Sequence, residues 1–286
     1  MLITRPGRDN DRRHIRFPEP LNDRLALVDE HNGRIKLYGS EASDFDSEAG
    51  SELISSFEAS DDFSKMIVYS DSSDETGWED IDFRFEGTIR GFFFDGSDAR
   101  MWARFGSEER ATEADKKAHD GIVETAREKA GGAVTEIVPD EFTVSRAGPN
   151  DAEPIANLMQ SVFEDYSEDI SEERLKQLIG RGGAAFRTVK TETGRIVASA
   201  AVRLDLGRRN GEVTDCVTHP DHRGRGLMAA LLKGLEKDAS TRFGVTDLYS
   251  LSRSGEAGMN IVLARSGYEY TGRLVNNCRM PDGLES

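Results

Sequence analysis

The chain has 286 residues, enough for two domains of ordinary size or one large one. Its 53 Asp plus Glu outnumber 37 Lys plus Arg, giving a formal net charge of −16. That balance excludes a broad nucleic-acid-binding surface, which needs clustered cations, and the lack of any apolar run near about 18 residues excludes a membrane-spanning helix.

Residues 1–20 read as a flexible start. They are basic but carry no apolar h-region, so they are not a secretory signal, and a cytoplasmic location is expected. Strands are predicted at 24–30 and 34–39, split by the hairpin signal His31-Asn32-Gly33. A short helix follows, with Leu53, Ile54 and Phe57 on one face, and then a buried strand over 65–70. The polar run "SDSSDETGWED" reads as a loop. "FRFEGTIRGFFFDG" and "DARMWARFG" read as two strands joined at Asp95-Gly96. Residues 107–133 are charged and helix-prone. These patterns place a domain boundary near 138, dividing the chain into 1–138 and 139–286.

Periodicity is clearer in the second half. Residues 142–147 read as a strand. Ile155, Leu158, Met159, Val162 and Phe163 fall at i, i+3, i+4, i+7 and i+8, one face of a helix, with Asn150 and Glu153 as a capping pair. A second helix runs over 171–179 and is stopped by Gly180. Strands follow at 185–190, 196–204 and 212–218, then a helix at 226–239, a strand at 245–251, a helix at 256–266 and a last strand over 268–276. The order β-α-α-β-β-β-α-β-α-β describes a mixed α/β sheet flanked by helices.

The loop before the helix at 226 carries the clearest chemistry. Gly224 and Gly226 let backbone N–H groups turn toward an anion, the helix adds its N-terminal dipole, and Arg223 and Arg225 add charge. Cys216 and Cys278 show no zinc spacing. The five histidines form no helix-spaced pair, so no metal is expected.

In this setting "VTHPDHRGRGLMAALL" resembles the acetyl-CoA-binding motif of the GNAT N-acetyltransferases, in which a Q/R-x-x-G-x-G/A loop cradles the pyrophosphate. Its last four positions are Arg223, Gly224, Arg225 and Gly226, while the Q/R position is Asp221, so Arg223 or Arg225 would supply the charge. The resemblance covers roughly residues 141–280. "TDCVTHPDHRGRGLMAALLKGLE", "LYSLSRSGEAGMN" and "SGYEYTGRLVNNC" are more specifically similar to the beta-lysine N-acetyltransferases, and "EGTIRGFF" with "DARMWARF" is similar to that family's leading domain.

The resemblance implies a GNAT-like sheet preceded by a degenerate GNAT-like lobe that shapes the substrate pocket. It implies acetyl-CoA as co-substrate, held by Cys216, Val217 and Thr218 on the strand and by Arg223, Gly224, Arg225, Gly226, Leu227 and Met228 at the loop. It implies Glu212 as general base, with Asp215 as its rival. By strand parity the two carboxylates are expected on opposite faces, Glu212 sharing its face with Thr214 and Cys216. The tyrosine that many relatives use as an acid is replaced by Leu263, leaving Tyr249 or Tyr268 as substitutes, or departure of the thiolate without an acid. Arg253, Asn260, Asn276 and Asn277 are the candidate substrate ligands. The implied reaction is acetylation of the side-chain amine of beta-lysine, giving a compatible solute, which suits an acidic chain kept soluble at high salt. Another small amine, a peptide N-terminus or a non-catalytic acetyl-CoA-binding module are the alternatives. No nucleic-acid or membrane partner is expected, and a homodimer is one possible assembly.

Overall fold

The computed structural model describes residues 12–16, 25–131, 138–163, 169–281 and 283–286. The chain divides into two compact units, Met1–Lys117 with Thr271–Ser286, and Ala118–Tyr270. Residue 138 therefore falls inside the second unit, and the last segment, expected to close the second domain as a strand over 268–276, packs in the first. No helix among the described residues is long and apolar enough to cross a membrane.

The first unit is built on a six-stranded sheet. Its strands are β1 (Arg12–Arg16), β2 (Leu25–Asp29), β3 (Arg34–Tyr38), β4 (Lys65–Ser70), β5 (Arg84–Ile89) and β6 (Ala99–Phe105), in the spatial order β1-β2-β3-β4-β6-β5. β1 lies in the stretch expected to be flexible, and pairs with β2 in antiparallel register. β3 and β4 are parallel and joined by helix α1 (Glu48–Glu58). The expected loop at 70–80 contains helix α2 (Glu75–Asp80), started by Asp74, whose side chain accepts from Gly77 N. Helices α3 (Glu108–Ala111) and α4 (Lys116–Glu128) occupy the helix-prone stretch 107–133. The apolar core gathers Phe45, Phe57, Trp78, Phe83 and Trp102 between α1, α2 and the sheet.

The second unit carries the sheet β11-β10-β9-β8-β7, formed by β7 (Phe142–Arg146), β8 (Ala184–Thr191), β9 (Ile196–Asp205), β10 (Asn210–Thr218) and β11 (Asp247–Tyr249). Helices α5 (Ala152–Val162) and α6 (Glu172–Gly180) cover one face; α7 (Leu227–Phe243) covers the other, followed by α8 (Ala257–Arg265). The expected Asn150 cap is not used. A short 3₁₀ turn precedes α5 instead, and Asp151 accepts from Gly148 N at 2.8 Å. Leu231, Leu232 and Leu235 of α7 pack on Ala200 and Val202, while Ile155 and Met159 of α5 pack on Ala201. Alternate residues of β9 thus feed two cores, the period-2 consequence of a strand buried on both faces.

An ion triad around the buried Asp238 fixes α7 to the sheet. The Asp238 side chain is 1% exposed. One of its oxygens accepts from Arg146 Nη2 at 2.6 Å and Nε at 2.9 Å, and the other from Arg187 Nε at 2.8 Å. A Cβ at Gly234 would lie 2.7 Å from Arg187 Cδ, Nε and Cζ, so glycine there leaves the channel through which Arg187 reaches Asp238. Burial opposes ionisation of Asp238, but the two guanidiniums outweigh it and hold the carboxyl below the usual carboxylate range. Such a group contributes fully above its unfolded pKa of about 3.9, and that contribution is lost as pH falls through the lower folded value. Asp238→Ala leaves Arg187 uncompensated and should cost about 3 kcal/mol. Urea unfolding at neutral pH measures the loss, and the gap between variant and parent should close under acid.

Candidate active site

β10 forms the spine of the site. It pairs with β9 on one side along its length, but with β11 on the other only over Asn210, Gly211 and Glu212. Residues 213–218 run on past the end of β11, and Ser250 Oγ donates to Val213 O at 2.9 Å where the two chains part. A wedge therefore opens beside the second half of β10, edged by backbone.

A β-bulge interrupts β10 at the head of this wedge. Thr214 faces Ala201 and Val217 faces Ser199, so two residues, Asp215 and Cys216, oppose one. Asp215 takes φ +52°, a left-handed conformation that Asp tolerates better than most residues. The bulge inverts the facing of everything after it. Val213 packs in the α7-side core, yet Val217, four residues on, packs in the α5–α6-side core.

This overturns the parity expectation. Arg203 sits directly opposite Glu212, so their side chains share a face. The Arg203 guanidinium also reaches Asp215 Oδ2, at 3.0 Å from Nη2 and 3.3 Å from Nε. Glu212 and Asp215 thus stand on one face, bracketing Arg203, and Cys216 packs on the other with the α7-side core. The two carboxylates differ in setting: Asp215 is 3% exposed and tied to Arg203, whereas Glu212 is half-buried. Tyr249 lies beside Glu212 in the parallel register with β11.

The α7 side holds three half-buried titratable groups. Burial, reinforced by Asp215, pushes the Cys216 thiol up to about 12. A thiol kept neutral in this way is a poor nucleophile. Burial also raises the Tyr268 phenol and the Glu236 carboxyl, which face each other. Tyr268 N donates to Leu263 O at 3.1 Å, so this phenol sits just beyond α8 and next to the buried Leu263.

The loop after β10 leads straight into α7. A 3₁₀ turn covers Pro220–His222, with the His219 side chain accepting from Asp221 N. Gly224 and Gly226 take φ +75° and +77°. α7 begins at Gly226 with no side chain capping its first N–H groups. A Cβ at Gly224 would meet nothing within 4 Å, so the space over this backbone is open. Arg223 Nε donates to Thr218 O at 3.3 Å, and Arg225 stacks over Phe142 and reaches Glu141 at 3.4 Å. Uncapped N–H groups, two guanidiniums and open space over a glycine are what a pyrophosphate requires. The side chain of Leu227 is buried in the core and Met228 packs against it, so these two positions offer the anion only backbone.

The comparisons with known proteins agree with this geometry. Residues 152–257 match the acetyltransferase (GNAT) family. The chain carries a GNAT-family acetyltransferase domain, and it is an N-acetyltransferase. Its co-substrate is accordingly acetyl-CoA, and the loop just described fits the pyrophosphate of that molecule. The chain is 29% identical to the beta-lysine N(6)-acetyltransferase of Methanosarcina mazei, covering 77% of this chain and 88% of the relative. It is 29% identical to the N-acetyltransferase YodP of Bacillus subtilis, covering 78% and 79%. A beta-lysine N(6)-acetyltransferase of Methanococcus maripaludis is 24% identical, covering 70% and 72%.

The other residues singled out by sequence are dispersed. Arg253 and Asn260 lie together: Asn260 Nδ2 donates to Arg253 O at 2.9 Å and Glu256 O at 3.0 Å, clamping the loop ahead of α8. Asn276 and Asn277 belong to the first unit. Asn276 Nδ2 donates to Glu109 O, Arg110 O and Thr112 O at 3.0, 3.2 and 2.9 Å, which commits its amide nitrogen to structure. Sequence reasoning missed Arg203, whose only signal was its place on the strand paired with β10, and Glu236, which reads as one more charge on an amphipathic helix.

Gly224→Val tests the loop. A β-branched side chain both strains the left-handed backbone, by roughly 1–2 kcal/mol, and fills the open space above it. Acetyl-CoA affinity should fall at least about tenfold, and calorimetry reading an unchanged affinity would remove the cofactor from this loop.

Proposed function

We propose that the enzyme acetylates the side-chain amine of beta-lysine, giving N6-acetyl-beta-lysine. The observation that carries this reading is the extent of the match to the Methanosarcina mazei beta-lysine enzyme. At 77% of the chain it exceeds what the second unit, Ala118–Tyr270, contains, so the likeness reaches into the first unit as well. The similarly placed match to YodP favours a second reading, another small amine on the same scaffold. The acidic composition suits a cytoplasmic enzyme making a compatible solute.

The residues divide the chemistry between the two faces of β10. Acetyl-CoA supplies the acetyl thioester. The loop Arg223–Gly226 and the N-terminus of α7 hold its pyrophosphate, and the exposed backbone edge of Cys216, Val217 and Thr218 lies along the wedge. On the α5–α6 face Glu212 takes a proton from the substrate ammonium, so that the neutral nitrogen attacks the acetyl carbon. Asp215, bound to Arg203, holds the bulge in shape and turns backbone N–H toward the carbonyl oxygen, where negative charge develops. As the C–N bond forms and the C–S bond breaks, the phenol of Tyr268 on the α7 face is the proton donor available to the departing thiolate; the nitrogen's second proton passes to solvent, from which the phenolate is reprotonated. Because Cys216 stays a neutral thiol, the strand supports direct transfer from thioester to amine rather than passage through an acetyl-cysteine.

Glu212→Gln keeps the shape and removes the basicity. It should lower kcat by roughly 10²–10⁴-fold with acetyl-CoA affinity unchanged. Much of the loss should return toward the amine's pKa of about 10.4, where neutral amine is abundant. Asp215→Asn tolerates the same left-handed backbone and should act mainly through weakened packing of the bulge. If Asp215→Asn abolishes turnover and Glu212→Gln does not, the base is the other carboxylate. Turnover measured on beta-lysine, lysine, ornithine and polyamines decides the substrate, and a polyamine preferred over beta-lysine would overturn the first reading.

A further inference from the structure

Residues Thr271–Ser286 follow the whole of the second unit in sequence, yet they are part of the first. Their contacts there are buried, directional and mostly polar. At the entry Gly272 crosses Gly87 so closely that a Cβ on Gly272 would lie 2.1 Å from Glu86 O and 2.3 Å from Gly87 Cα. Only glycine permits two backbones to meet this way. Thr88 N donates to Thr271 O at 3.2 Å, and Arg273 N to Glu86 O at 2.7 Å.

Beyond the crossing, the segment meets a row of buried charges. Lys65, fully buried, donates to Glu86 at 2.9 Å and to Val275 O at 2.6 Å, while Val275 N donates to Glu86 Oε1 at 2.7 Å. Arg34, paired with Asp29 at 2.8 Å, donates to Asn277 O at 2.8 Å, and Arg110 Nη2 reaches the same carbonyl at 3.3 Å. Arg273 pairs with Glu113 at 3.0 Å, Arg279 N donates to Asn32 Oδ1 at 2.9 Å, and Leu274 is buried. Asn276, at φ +46°, spends its amide on the three carbonyls at the end of α3.

We propose that the first unit contains a built-in binding site for a peptide segment, whose occupant is this chain's own segment 271–286, and that the unit depends on that segment for its stability. The site recognises backbone carbonyls with buried cations and backbone N–H groups with buried side-chain oxygens, so it reads the main chain from Val275 to Arg279 through its turn. Gly272 and Asn276 set the register. The inference is independent of which amine the enzyme acetylates.

The chain's two tryptophans, Trp78 and Trp102, both lie in the first unit's apolar core, so their emission reports on that unit alone. A protease recognition sequence is inserted between Tyr270 and Thr271, both exposed, and cut in the otherwise full chain. The segment should then co-elute with the remainder on gel filtration at micromolar concentration. The urea midpoint read from tryptophan should become dependent on protein concentration, which the uncut insertion protein does not show. In the cut chain Asn276→Ala should speed release of the segment at least tenfold. In the uncut chain the tether holds the segment at millimolar effective concentration, so the same substitution should leave the emission native. Cutting that unfolds the first unit outright, with acetyl-CoA binding by the second unit retained, also supports the proposal. Release of the segment with an unchanged tryptophan midpoint overturns it.

Discussion

The organisation of the catalytic unit depends on the bulge at Asp215 and Cys216. One extra residue in β10 reverses the facing of the strand, so that a single stretch contributes first to the α7-side core and then to the α5–α6-side core. The same irregularity gathers the two carboxylates around Arg203 on one face and turns Cys216 toward Tyr268 on the other. A regular strand would have kept Glu212 and Cys216 together and Asp215 apart. The ion pair between Asp215 and Arg203 secures the bulge, because it ties the left-handed residue to the neighbouring strand.

Much of this fold was legible in the sequence because it rests on periodicity. The buried run at 65–70 is β4, and the leucine face of α7 meets the sheet as its spacing required. The left-handed turn into α7 was legible for a different reason: two glycines directly before a leucine-faced helix mark where the backbone must turn. What stayed hidden was non-local. A bulge leaves no mark on hydrophobic alternation, and parity arguments silently assume that there is none. The segment at 268–276 reads as a strand because it is moderately apolar. Its actual partners are Glu86 and Gly87, close to two hundred residues earlier, and nothing in a local pattern announces them. α2 was masked by its polar composition, although Asp74 three residues before Gly77 is the cap that begins it.

The two units use the same device to opposite ends. Each contains two parallel strands joined by a crossing helix, β3-α1-β4 in the first and β10-α7-β11 in the second. In the first, Ser47 caps α1 by accepting from Gly50 N, and Asp44, Asp46 and Glu48 surround the helix start. The dipole there is already answered by the chain's own oxygens. In the second, α7 starts uncapped between arginines, so its dipole is left for a ligand. The difference between a helix start answered by its own chain and one left open is here a matter of one serine and three carboxylates against two glycines and two guanidiniums.

The loop of Arg223 and Arg225 belongs to a chain of net charge −16. A polyanionic co-substrate approaching from solution meets the repulsion of the whole molecule before it feels the attraction of Arg223 and Arg225. The long-range repulsion is carried by exposed charges and collapses once the Debye length shortens to about 3 Å near 1 M salt, whereas contacts made at hydrogen-bond distance in the loop are screened far less. Added salt therefore lowers the barrier to encounter more than it weakens the grip. In this enzyme the approach of acetyl-CoA should quicken with ionic strength, the reverse of the usual behaviour of a phosphate-binding protein.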